Sequence, residues 1–136
     1  MPTTIEHVGI VVDNVMEAKA FLGDVLGLEF HREVDLPNRG VKAAFFRSGS
    51  IQVEVIECVD PDLREGRLGP PGTRARIEHI AILVDDLNGH LDALKAKGVR
   101  TVPPDPPYTV TPGRTWVMTD PGTTGGVMYQ IIELDK

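Results

Sequence analysis

Ile5-Glu6-His7-Val8-Gly9-Ile10-Val11-Val12-Asp13 returns as Ile77-Glu78-His79-Ile80-Ala81-Ile82-Leu83-Val84-Asp85. The offset of 72 residues (77 − 5) carries His7 onto His79 and Asp13 onto Asp85. Each copy is a β-branched run with one imidazole in its third place. Two copies are too few for a solenoid, whose core needs about three or more repeats. One module used twice fits better. Alternation puts Ile5, His7, Gly9 and Val11 on one strand face and Val8, Ile10 and Val12 on the other, so the run reads as a strand buried on both sides.

Outward from the first copy, Asn14 followed by Glu17 resembles a capping box. Val15, Ala18, Leu22 and Val25 stand at helical spacing behind it and Gly27 stands in the terminating place, which predicts a helix of about three turns. Leu28 to Val34, Val41 to Arg47 and Ile51 to Cys58 are extended runs punctuated by Pro37-Asn38-Arg39-Gly40 and Ser48-Gly49-Ser50, the pattern of an antiparallel meander. The first module is therefore β-α-β-β-β, over residues 4–58. Residues 59–76 carry Asp60-Pro61-Asp62, Gly66 and Gly69-Pro70-Pro71-Gly72, a linker composition with room for one helical turn near Leu63. The second module, 77–135, repeats the grammar with a strand over 77–84, a helix from about Leu87 to Lys97 closed by Gly98, and strands at 99–102, 114–119 and 127–134. Residues 103–113 hold five prolines, which predicts a stiff loop of the kind that rims a site.

The last strands of the two modules also correspond. Ile51-Gln52-Val53-Glu54-Val55-Ile56-Glu57 aligns with Val127-Met128-Tyr129-Gln130-Ile131-Ile132-Glu133, so Glu54 meets Gln130 and Glu57 meets Glu133. Each half then pairs a strand-borne His with a polar side chain in an apolar final strand. Such groups cost several kcal/mol apiece when buried without partners. A divalent metal explains all four at once, with His7, Glu54, His79 and Gln130 giving two imidazole nitrogens and two oxygens. Imidazole suits Zn, Fe, Ni and Co, and the oxygens admit Mn or Mg. Glu57 and Glu133 fall on the opposite strand face and read as solvated strand-end acids. His31 and His90 lack repeat partners and read as surface residues.

The 136 residues, with 20 acids against 14 bases and a net charge of −6, match one domain able to bury its own core. No run of Lys and Arg forms a stripe, which argues against a nucleic-acid partner. No apolar stretch approaches the ~20 residues of a membrane helix. The single cysteine, Cys58, allows no intramolecular disulfide and reads as a small apolar filler. With no n-region or apolar h-region at the start, the expected compartment is the reducing cytoplasm.

The paired modules and their polar positions resemble the vicinal oxygen chelate superfamily, which includes glyoxalase I, methylmalonyl-CoA epimerases, extradiol dioxygenases and antibiotic-resistance proteins. The likeness runs over almost the whole chain. It implies an α+β fold in which two paired βαβββ modules form a cup-shaped, incomplete barrel-like sheet. One divalent ion (Co, Ni, Zn, Mn, Mg or Fe) would be held by His7, Glu54, His79 and Gln130. EHVGIVVDNVMEAKAFLGDVLGL, LPNRGVKAAFFRSGS, IEHIAILVDD, KAKGVR and TGGVMYQIIEL most resemble the text of methylmalonyl-CoA epimerases.

That resemblance implies proton transfer beside a carbonyl through an enolate held by the metal, with Glu54 as base. Two positions differ from the family text. Many such epimerases read Pro-Glu-x-Gly where this chain has Pro37-Asn38-Arg39-Gly40, and an amide accepts no proton at neutral pH. Most also carry Glu where Gln130 stands. Asn38, Phe45 and Trp116 are the implied substrate contacts, Phe45 and Trp116 as mid-strand aromatics of matching meander strands. The substrate is expected to be a small molecule, an acyl-CoA thioester in the epimerase-like case. Arg39, Lys42, Arg74, Arg76 and Arg114 are then available for its phosphates. Family members frequently dimerise, which implies a homodimer. A glyoxalase-type lyase, a non-catalytic resistance-type binding protein and an iron-dependent dioxygenase are the alternatives under the same resemblance.

Overall fold

A computed structural model describes residues 3–102 and 108–136. Residues 103–107 of the predicted proline-rich loop lie outside the described residues. The chain divides into two compact units, His7–Glu78 and Met1–Glu6 with His79–Lys136.

The first unit takes β1 (Thr3–Val12) from His7 onward, then α1 (Val15–Ala20), which continues as a π-helical turn over Phe21–Val25. β2 (Glu29–Leu36), a 3-10 turn (Pro37–Arg39), β3 (Val41–Ser48), β4 (Ile51–Cys58) and α2 (Pro61–Arg67) follow. The strands lie in the order β2-β3-β4-β1, with β1 parallel to β4 and the other pairs antiparallel. Alternation gives the sheet two apolar faces. On one, Val12, Ala44, Phe46 and Val55 pack with Val15 and Leu22 of the helix; on the other, Val11, Val41, Ala43, Ile56 and Cys58 pack with Leu68 and Leu63. Each large side chain so buried contributes roughly 1.5–3 kcal/mol.

The second unit takes β5 (Ala75–Val84) from His79 onward, then α3 (Leu87–Ala96), β6 (Thr101–Val102), β7 (Thr109–Thr111), β8 (Arg114–Thr119), a 3-10 turn (Pro121–Thr123) and β9 (Met128–Leu134). Its order is β5-β9-β8-β6, with β7 also on β8. Val84, Leu87, Val117 and Ile131 form its core, with Leu91 and Leu94 against them. β7 corrects the sequence reading, which placed Thr109–Thr111 in a loop. Gly113, at φ 82°, lets the chain reverse there and pair β7 with β8.

The predicted cap is present: Asn14 Oδ1 accepts the Glu17 N–H at 3.1 Å. A second acceptor was misread. Glu57 is not a solvated acid but accepts the Val15 N–H at 2.9 Å, and Glu133 accepts the Leu87 N–H at 2.9 Å. Both carboxylates therefore face a helix N-terminus, where orphan donors and the positive end of the dipole favour an anion. The duplicated acid answers a duplicated helix start.

The linker holds more structure than one turn. Asp60 caps α2 by accepting from Asp62 N at 3.0 Å, and Pro61 fills a first-turn position that needs no N–H. Gly40 lies against this cap. At φ 66°, its added Cβ would stand 2.9 Å from Asp60 Cβ, whereas at Gly49, φ 63°, a Cβ would meet nothing. Gly49→Ala should therefore show only the left-handed backbone cost, roughly 1–2 kcal/mol, and Gly40→Ala distinctly more. Urea unfolding of the two variants checks this; equal losses would remove the Asp60 contact from the account.

Candidate functional site

In the first unit the parallel register sets Gly9 opposite Glu54 and His7 opposite Gln52. Gly9 itself carries no side chain on the face that His7 and Glu54 share. His7 Nε2 lies 3.3 Å from Glu54 Oε1, with His7 1% exposed. Phe45, opposite Glu54 on β3, sets its ring edge-on to the His7 imidazole with centroids 5.3 Å apart. A half-buried carboxylate and a buried imidazole thus meet with one aromatic wall beside them.

In the second unit the pattern recurs. β5 is parallel to β9, Ala81 stands opposite Gln130 as Gly9 stands opposite Glu54, and His79 lies two residues before it. Ala81, His79 and Gln130 are all buried. Gln130 Oε1 has no hydrogen-bond partner among the described residues. A buried amide oxygen left so costs about 1–3 kcal/mol, and coordination of a cation removes that cost. Each unit by itself thus offers one buried imidazole and one oxygen on neighbouring strands, donor types that suit a divalent metal.

The other predicted residues separate. Asn38 is exposed in the 3-10 turn, and Phe45 is buried beside His7. Trp116 donates from Nε1 to Thr111 Oγ1 at 3.1 Å and faces Ile132 across the ladder. The residue opposite Gln130 is Met118, so Met118 rather than Trp116 holds the place of Phe45.

Of the proposed phosphate-binding cations, Arg114, Arg74 and Arg76 have partners within the chain. Arg114 forks onto Glu6 at 2.7 and 3.2 Å. Arg74 reaches Glu17 at 2.9 Å and Asp13 at 3.7 Å, and Arg76 donates to the Arg67 carbonyl at 2.6 Å. Sequence reasoning missed the other fork, Arg67 on Glu78 at 2.9 and 2.7 Å. A signal existed: Glu6 and Glu78 are repeat equivalents within strands whose neighbours are apolar. Desolvation lowers and the Glu78 hydrogen bond and charge raise the Arg67 pKa, the net direction being up. Burial pushes the Cys58 thiol up, consistent with an inert filler. His31 and His90, read as surface residues, are half-buried, and His31 Nε2 lies 3.2 Å from Arg47 Nη2.

Residues 6–116 match the model of the Glyoxalase/Bleomycin resistance protein/Dioxygenase superfamily. The chain belongs to this superfamily. Over 129 residues it is 30% identical to the uncharacterized protein YqjC of Bacillus subtilis (strain 168), covering 95% of this chain and 91% of that one. It is 26% identical over 127 residues to mitochondrial methylmalonyl-CoA epimerase of Bos taurus, covering 93% and 72%. The solved structure of hypothetical protein BH1468 from Bacillus halodurans C-125 superposes with a TM-score of 0.85 at 26% identity, covering 100% and 97%. The glyoxalase-like α+β fold implied by the resemblance is thus the fold of the chain, and the superfamily includes enzymes. No helix among the described residues is long and apolar enough to cross a membrane.

Proposed function

We propose that this superfamily member is a metal-dependent isomerase or epimerase acting on a carbon next to a carbonyl, in the manner of methylmalonyl-CoA epimerase. In this reading His7, Glu54, His79 and Gln130 hold one divalent ion. The observation that carries it is the pairing of buried His7 with Glu54, repeated as buried His79 with a Gln130 oxygen that lacks a hydrogen-bond partner among the described residues. His7, Glu54 and His79 are also a group of metal-ligand type. The relationship to the Bos taurus epimerase supports the reaction class.

When bound, the ion supplies Lewis acidity toward a carbonyl oxygen, worth several kcal/mol where negative charge develops. The chain's own residues do the rest. Glu54 takes the proton and returns it, because Gln130 and Asn38 are amides and accept none. His7 orients the Glu54 carboxylate from 3.3 Å. Phe45 fixes the His7 ring and keeps water from that side. Asn38 and Trp116 complete the substrate contacts. The substrate is a small molecule, an acyl-CoA thioester by the epimerase likeness, and the working form is a cytoplasmic homodimer of one domain spanning residues 1–136.

Equilibrium dialysis against cobalt, zinc or manganese tests the ligand set independently of turnover. One ion per chain is expected, with affinity falling about 100-fold or more in His7→Ala and His79→Ala. Uptake unchanged in both variants would overturn the assignment.

A further inference from the structure

We propose that α2 and the loop behind it form a subsite for a phosphate group at the far end of an acyl-CoA substrate. Pro61, Arg64, Glu65 and Leu68 stand at i, i+3, i+4 and i+7, one face of α2, and with residues 69–73 they line a cavity of about 380 Å³. The loop holds its distance from the helix. Pro70 and Pro71 have a fixed φ, and Thr73 N donates to the Pro70 carbonyl at 3.1 Å. Gly69, at φ 131°, passes so near Thr73 that an added Cβ would stand 2.9 Å from its Oγ1. The cavity thus exists before a ligand arrives, which lowers the cost of binding.

Arg64 supplies the charge. It is half-buried, and among the described residues its guanidinium makes no hydrogen bond or ion pair. A guanidinium partly withdrawn from water gains from an anion, which its planar fork holds through two parallel hydrogen bonds. Arg114, Arg74 and Arg76, the cations offered for phosphates by the sequence, are bound to Glu6, Glu17 and the Arg67 carbonyl instead. Glu65 is exposed, so solvent and salt screen its charge. Position along the sheet agrees. Glu54, Ile56 and Cys58 alternate onto one face of β4, and Leu63 and Leu68 pack in the cluster that holds Ile56 and Cys58. At about 3.3 Å per residue, Cys58 lies roughly 13 Å along the strand from Glu54. The extended pantetheine arm of a CoA thioester spans such a separation, and the pyrrolidine rings of Pro70 and Pro71 give a purine an apolar wall.

The inference rests on the proposed reaction only for the thioester to which the phosphate belongs. Adenosine 3′,5′-bisphosphate, the tail of CoA without its thioester, is titrated calorimetrically into chelator-treated full-length protein, with the Gly69 and Gly72 amides followed by NMR. Saturable binding that shifts both amides is expected, weakened about tenfold or more in Arg64→Gln, the range for losing a charged hydrogen-bonded partner. Lys97→Gln, the same charge change at an exposed residue of the second unit, should leave binding as it was. Inorganic phosphate in a parallel arm, bound as tightly and with the same dependence on Arg64, would support the subsite and assign it to the phosphoryl group alone. No binding, no shift at Gly69 and Gly72, or affinity that falls no further in Arg64→Gln than in Lys97→Gln would overturn the proposal. Dialysis of the same variants against cobalt reports separately on the ligand set, so failure of the two readings can be told apart.

Discussion

Glu54→Gln is expected to stop incorporation of solvent deuterium into methylmalonyl-CoA supplied to the metal-loaded protein. General-base catalysis contributes roughly 10²–10⁴-fold, and an amide retains none of it. The substitution suits the question because Gln matches Glu in size, and Gln130 already occupies the equivalent position in the second unit. The fold should therefore survive, as a circular dichroism spectrum and unfolding midpoint would report. Metal affinity should fall as well, since a neutral amide replaces the carboxylate. Measuring exchange at saturating metal separates the two effects. Persistent exchange at full metal occupancy would move the base elsewhere. No exchange even in the unsubstituted protein would instead redirect the search to hemithioacetals, the glyoxalase-type substrates.

The second large effect is on stability. Arg67→Met should destabilise the protein by about 3–5 kcal/mol, the range seen when one partner of a buried ion pair is removed. Glu78 has a side chain only 3% exposed, and both its oxygens accept from the same guanidinium. Without Arg67 that carboxylate loses both of these charged hydrogen bonds while it stays buried, or it takes up a proton. Met keeps much of the aliphatic stem, so the loss reports the charge more than the packing. A fall in Tm of about 10 °C or more corresponds to this loss in a chain of such length. Arg67→Met combined with Glu78→Gln should recover a sizeable part, because a neutral amide then replaces the buried carboxylate. A loss under about 1 kcal/mol in the single variant would mean that the pair behaves as a surface bridge.

Much of the architecture was legible because it is written twice. The 72-residue echo of the first strand, the Asn14 cap and the positive-φ positions of Gly27 and Gly98 are local signals, and local geometry honours them. His7, Glu54, His79 and Gln130 stand out in the sequence for the same reason: a polar residue at matching places in two apolar strands is improbable without a shared purpose. Glu57 and Glu133 carried an equally clear repeat signal and were misread. Strand alternation gave the face on which they lie but not that each helix N-terminus arrives on that face with an unpaired N–H. Trp116 was matched to Phe45 by counting along the strand, and the observed register moves that place to Met118.

The sequence by itself determined the duplicated module, the order of its elements and the four polar positions, since these follow from side-chain period and a fixed offset. Tertiary structure decided the partners: Arg114 with Glu6, Arg67 with Glu78, and Arg32 over Phe45. Each of these depends on where distant segments meet or on a single inserted residue in a ladder. An ion pair or a stacked cation is set by angstrom-scale placement, and residue order along a strand leaves that placement open.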